Sequence, residues 1–143
     1  MLKENNQIHL AIKGLIKHNG RFLILQRPKK PGQDAAYWEL PGGGLAFGEL
    51  PELGLQREIY EEVHLDVDVL RPIWVWSFMK NPLVQVVGIT YLCNSPSVAI
   101  KLSEEHQDFA WVTPMERHNF NILPELKSDM DAWDANRVFE SLK

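Results

Sequence analysis

The chain has 143 residues, 45% hydrophobic and 24% charged, with a formal net charge of -4. That size and balance fit one globular domain over residues 1–143, and the acidic surplus argues against an extended nucleic-acid partner, which calls for a basic surface. A single cysteine, Cys93, excludes an intrachain disulfide and a zinc–thiolate cluster, and no apolar run approaches the roughly 20 residues that a membrane-spanning helix needs.

In chain order, residues 1–7 are polar and lack the apolar stretch of a secretory leader, so a cytoplasmic location is the expectation. Residues 8–17 alternate in part, His18-Asn19-Gly20 is a turn signal, and residues 21–26 read as a second strand of a β-hairpin. Prolines, a glycine and lysines make residues 28–34 a loop. Residues 37–40 form a short extended segment stopped by Pro41 and three glycines. Pro51 then opens a helix that runs to about Val63, since proline at the first helical position loses no hydrogen bond and has its φ already set. Residues 67–78 and 83–93 are rich in Val, Ile, Trp and Tyr and read as strands separated near Asn81-Pro82; residues 109–112 make another. A helix is expected over residues 128–142, with Met130, Trp133, Val138 and Leu142 on one side. Strands on both sides of a central helix, with a second helix at the end, indicate a mixed α/β sandwich. Cys93 reads as a buried thiol in the apolar run 89–93.

The chemistry is concentrated on the first helix and the glycines before it. At about 100° per residue, Glu58, Glu61 and Glu62 share one arc, whereas Leu55, Ile59 and Val63 form a separate stripe able to pack on a sheet. Gly54 lies on the acidic side and leaves room for a loop or ligand to come close. Like charges one turn apart destabilise a helix by a few tenths of a kcal/mol per pair, a cost that a hard cation among them would offset. Oxygen donors suit Mg²⁺ or Mn²⁺, which also bind phosphate oxygens and acidify a bound water.

Residues 43–65 resemble the signature of the Nudix hydrolases, with Gly43, Glu49, Arg57, Glu58, Ile59, Glu61, Glu62 and Leu65 in place. His64 stands where that signature has a helix-ending glycine, which leaves the helix exit in question. Trp38-Glu39-Leu40-Pro41-Gly42-Gly43 and the early strand ending in Arg27 also resemble the family. The resemblance implies a Nudix-type α/β/α sandwich with a mixed sheet and a catalytic loop-helix. It implies a Mg²⁺- or Mn²⁺-dependent hydrolase that cleaves a phosphoanhydride bond in a nucleoside diphosphate linked to another moiety, or in a nucleoside triphosphate. Its alternative is a non-catalytic nucleotide-binding or regulatory protein of the same fold, although such relatives usually lose the motif glutamates that this chain keeps. A homodimer is common in the family and is a prior here.

Carried onto this chain, the resemblance makes Glu58 and Glu62 the principal metal ligands, Glu61 a third ligand or the base, and the Gly42 carbonyl a neutral ligand. Glu49 and Arg57 become an orienting pair, and Gly43 and Gly44 line the substrate. Glu105 resembles a distal ligand or base, with Glu104 and Asp108 competing for that role. Arg27 fits either a phosphate clamp or a solvated strand end. Trp74, Trp76 and Phe78 alternate on one strand face, as core or as a stacking platform for a nucleobase. His9, His18, His106 and His118 show no metal-ligand spacing to one another and are expected in surface or packing roles.

Overall fold

The computed structural model describes residues 5–143; the polar start expected over residues 1–7 thus lies in part outside the described residues. Strand β1 (Gln7–His18) turns at Asn19-Gly20 into β2 (Arg21–Gln26). Then follow β3 (Trp38–Glu39), β4 (Gly42–Gly44), helix α1 (Pro51–Val63), β5 (Asp68–Asn81), β6 (Val84–Asn94), β7 (Asp108–Val112) and helix α2 (Pro124–Ala135).

The sheet is mixed. Its order is β3-β2-β1-β6-β5, with β4 also on β1 and β7 also on β2. β1 pairs in parallel with β6 from Gln7↔Val84 to Lys17↔Asn94. The expected hairpin exists, but only Lys17↔Phe22 and His18↔Arg21 pair across it. Beyond that point β2 diverges to pair with β7 and β3, and β1 takes β4 as its antiparallel neighbour at Ala11–Lys13. The glycine segment anticipated as a loop is therefore partly a strand: Gly42–Gly44 need no side-chain pattern to join the edge that β2 vacates.

Both faces are covered, and strand alternation assigns the residues. Ile12, Ile16, Leu23 and Leu25 pack against Leu55, Ile59 and Val63 of α1. Leu15, Phe22 and Ile24 point the other way, toward Met130 and Trp133 of α2 and Phe139 and Leu142 beyond it. This is the α/β/α sandwich. Ile59 is fully buried and sits over Gly14, where an added methyl would lie 3.1 Å from its Cδ1; truncation to alanine in such a site costs roughly 2–5 kcal/mol. Cys93 is buried in the same layer, and burial pushes its thiol up to about 12.

Helix α1 has the expected bounds, and His64 ends it in the left-handed region (φ 58°), donating its N–H to the Tyr60 carbonyl at 2.9 Å. The His64 ring also hydrogen-bonds the Lys101 carbonyl through Nδ1 at 3.2 Å, which holds a conformation that glycine would adopt without strain. The second helix departs from expectation at both ends. It begins at Pro124 rather than near Ser128, and it stops at Asn136 because Arg137 is left-handed (φ 63°); a short 3₁₀ turn, Val138–Leu142, completes the chain. Phe139 and Leu142, not Val138, are the buried residues of that turn. Among the described residues no helix is long and apolar enough to cross a membrane.

Candidate active site

Two backbone hydrogen bonds assemble the acidic corner. After β6 the chain crosses the end of α1, with Lys101 N–H donating to Val63 O (3.1 Å) and Ser103 N–H to Glu62 O (2.9 Å). Gln107 N–H then donates to Gln26 O at 2.9 Å as the chain enters β7. Glu105 and His106 are thereby pinned between α1 and β2. The result is a group of Glu62, Glu105 and His106 whose donor atoms all lie within 4.8 Å of one another.

Glu62 is only 2% exposed. Its Oε1 accepts the Gly42 N–H at 2.7 Å and its Oε2 lies 3.4 Å from His106 Nδ1. Burial pushes its carboxyl up to about 7, although the Lys13 charge and the Gly42 N–H pull the other way. Glu39, on β3, sits behind His106. Burial raises its carboxyl, but the His106 Nε2 hydrogen bond at 2.8 Å and the charges of Lys13 and Arg27 outweigh that and hold it at about 2. A buried and a half-buried carboxylate thus flank one imidazole with opposite balances. Glu39 has its counter-charges; Glu62 lacks a cation close enough to offset its desolvation. A divalent cation fits that deficit and that donor set.

Of the other expected residues, Arg57, Glu58 and Glu61 stand on α1 and Glu49 just before it. The Glu58 carboxylate lies against Gly43, where a Cβ would come within 2.7 Å of its Oε2, so any side chain there would displace that carboxylate. Glu49 and Arg57 form the two-pronged pair, Nε–Oε2 at 2.7 Å and Nη2–Oε1 at 2.9 Å. The Arg57 hydrogen bonds and the Ala46 N–H hold Glu49 at about 2. Gly54 accommodates this loop as anticipated: a methyl there would meet Glu49 Oε1 at 2.7 Å and Leu45 at 2.8 Å. Glu61 is placed apart from Glu62, its side chain 58% exposed and 3.2 Å from Arg57 Nη1. Glu105, rather than Glu104 or Asp108, joins the group. The Gly42 carbonyl accepts from Lys13 Nζ at 3.4 Å.

Beside the corner opens a cavity of about 570 Å³. Lys13, Arg27, Lys30 and Lys80 contribute cations to its wall, Glu39, Glu125 and Asp129 contribute carboxylates, and Gly43 and Gly44 line it next to the acidic corner. Trp76 and Phe78 stack on each other, centroids 6.0 Å apart and planes 11° off parallel, and form its apolar side. The Trp76 indole lies flat on Gly88, which has no room for any side chain, and donates Nε1–H to Thr90 Oγ1 at 3.1 Å. Trp74, on the same strand face, instead meets Trp133 edge-on and belongs to the core.

Sequence reasoning assigned no role to Lys13 or Glu39 and expected a surface or packing role for His106. Glu39 was visible in the run Trp38-Glu39-Leu40-Pro41-Gly42-Gly43, and Lys13 interrupts the apolar run Leu10–Ile16 of β1; either could have been singled out. His106 gives no spacing signal because its partners are carboxylates remote in sequence.

Residues 8–134 match the sequence model of the NUDIX domain. The nucleoside triphosphatase NudI of Escherichia coli is 29% identical over 119 residues, which cover 76% of this chain and 84% of that protein. A MutT-like protein of Streptomyces ambofaciens is 32% identical over 104 residues, 71% of this chain and 61% of that protein. Among solved structures, the MutT protein from Methanosarcina mazei Go1 superposes with a TM-score of 0.81 at 22% identity, covering 94% of this chain and 99% of that one; this likeness concerns the fold.

Proposed function

Since this chain belongs to the NUDIX domain family and is a Nudix-type pyrophosphohydrolase, we propose that its substrates are nucleoside triphosphates and that Mg²⁺ or Mn²⁺ supports the reaction at Glu62 and Glu105, with Glu58 alongside. The observation that carries the reading is adjacency: the buried, under-neutralised Glu62 corner opens beside an aromatic-walled cavity to which Lys13, Arg27, Lys30 and Lys80 bring cations, against the carboxylates of Glu39, Glu125 and Asp129. The printed activity of the NudI relative, nucleoside triphosphatase, points to the same substrate class.

Hydrolysis adds water across one P–O–P linkage: a P–O bond forms to the water oxygen, and the anhydride oxygen leaves with the departing phosphate. A bound divalent cation supplies charge neutralisation and a more acidic water. The chain supplies the rest. Lys13 and Arg27, flanking Glu39 at the cavity wall, and Lys30 and Lys80 nearer its rim, hold phosphate oxygens. The Trp76–Phe78 pair offers a flat face to the base. Glu105, exposed at the mouth of the group, takes the proton of the attacking water at a carboxylate oxygen. Glu49 and Arg57 stay out of the chemistry and fix the approach of residues 45–49 to α1.

The test is pyrophosphate release from a panel of nucleoside triphosphates, with ADP-ribose and nucleotide sugars as comparators, in Mg²⁺, in Mn²⁺ and in chelator. The expected result is metal-dependent release of pyrophosphate from triphosphates. Turnover that persists undiminished in chelator, or that is confined to the comparators, would remove the metal or the substrate assignment respectively.

A further inference from the structure

The metal-dependent reading uses the acids but leaves one buried group without a task. His106 is 7% exposed, and its Nδ1 makes no hydrogen bond. On the other side of the ring, Nε2 lies 2.8 Å from Glu39 Oε2. Lys13 Nζ and Arg27 Nε stand 3.4 and 3.9 Å from that carboxylate, which keeps it ionised and therefore an acceptor only. The proton of the neutral imidazole is then on Nε2, donated to Glu39, and Nδ1 carries a bare lone pair. Where Glu62 is ionised, that lone pair faces its Oε2 at 3.4 Å, acceptor toward acceptor in a dry corner. Such an arrangement is costly unless an electropositive atom lies between the two. A carboxylate fixing an imidazole tautomer from behind is how metal-ligating histidines are oriented.

We propose that His106 Nδ1 is itself a ligand of the divalent cation, together with Glu62 and Glu105, and that Glu39 is a positioning residue that aims the imidazole. The proposal rests on the metal-dependent reading above and adds a nitrogen to an otherwise all-oxygen donor set. Mg²⁺ takes oxygen donors, whereas an imidazole suits the first-row transition ions, whose affinity for such sites rises along the series from Mn²⁺. The site therefore prefers Mn²⁺ to Mg²⁺.

Manganese is the probe, on the full chain. Pulsed EPR of the Mn²⁺-loaded wild type should show coupling to an imidazole nitrogen, and the pattern should change when the histidines carry the heavy nitrogen isotope. His106→Gln should lose the coupling, and its preference for Mn²⁺ over Mg²⁺ in binding titrations should fall on the order of tenfold. His64→Gln, whose ring is occupied with the Lys101 carbonyl, should retain the coupling. Bound Mn²⁺ with no nitrogen coupling in the wild type would mean that the imidazole is instead a doubly protonated bridge between Glu39 and Glu62; the ligand proposal then falls while metal-dependent hydrolysis stands. Failure of the wild type to bind Mn²⁺ at all overturns both. The deciding spectrum is that of the wild type, so a poorly folding variant does not block it.

Discussion

The acidic corner and the aromatic-walled cavity share a border at Glu39, Lys13 and Gly43, yet they are built differently. In the corner the inner groups are held by specific partners, Glu62 by the Gly42 N–H and His106 by Glu39, and Glu58 lies against Gly43. In the cavity Lys13 and Arg27 are tied to Glu39 and the Trp76 wall is fixed by Gly88 and Thr90, whereas Lys30 and Lys80 are exposed and reach the same open space from other segments. The difference teaches where function is concentrated. A corner of interlocked groups fails when one is lost; exposed charges on the wall, such as Lys30 and Lys80, weaken binding in steps.

The largest effect should therefore come from Glu62→Gln. It keeps the shape of the side chain but removes the charge, and kcat should fall at least about a hundredfold, more than the loss of a supporting residue around a metal costs. Steady-state kinetics in Mg²⁺ and Mn²⁺ measure it, and near-wild-type turnover would erase the contrast between the two regions. Next is Trp76→Ala. Base–aromatic stacking is worth about 1–3 kcal/mol, so KM should rise about tenfold or more with kcat changed little; a change confined to kcat would mean that the indole does not meet the base.

These two sites also differ in how legible they were. The α1 acids were readable because helical periodicity places Glu58 and Glu62 together within one contiguous segment, and the alternating strands likewise announced both faces of the sheet. The third member of the corner was not readable, since His106 meets Glu39 from 67 positions away and only the path of residues 101–107 across the end of α1 brings them together. β4 was hidden because glycines carry no pattern and its pairing is purely backbone. The start of α2 was misjudged because its first turn, from Pro124, precedes the buried Met130 and Trp133 that revealed the helix, and its end because a non-glycine residue, Arg137, adopts the left-handed turn.

A smaller effect sharpens the comparison from the cavity side. Lys80→Ala should raise KM by roughly two- to fivefold, the range for a solvated charge pairing with an anion, and should lessen the dependence of KM on salt. A hundredfold loss would place Lys80 with the interlocked groups instead.

The smallest signal lies in the pH dependence of stability in chelator. Glu62 titrates at about 7 in the folded chain against an ordinary 4.5, so the native state holds the extra proton between those values. Its contribution is fully present below about pH 4.5 and is lost as pH rises through about 7. Glu39, held at about 2, has the reverse sign: its contribution is present above 4.5 and lost as pH falls toward 2. Between pH 4.5 and 7 the metal-free melting temperature should therefore drift downward with rising pH, and Glu62→Gln should flatten the drift. A slope unchanged in that variant would assign the proton elsewhere.

The parallel match of β1 with β6 has a consequence for how the protein is made. β1 leaves the ribosome early, but its longest neighbour is the strand that ends at Asn94, and the segment that carries Glu105 and His106 follows later still. Until then the nascent chain carries Ile12, Leu15 and Ile16 without their final cover, and contacts so distant along a chain make for slow folding. The glutamate helix is thus translated well before the residues that complete its pocket, and a chain interrupted short of β7 would hold the whole signature motif yet have no finished site.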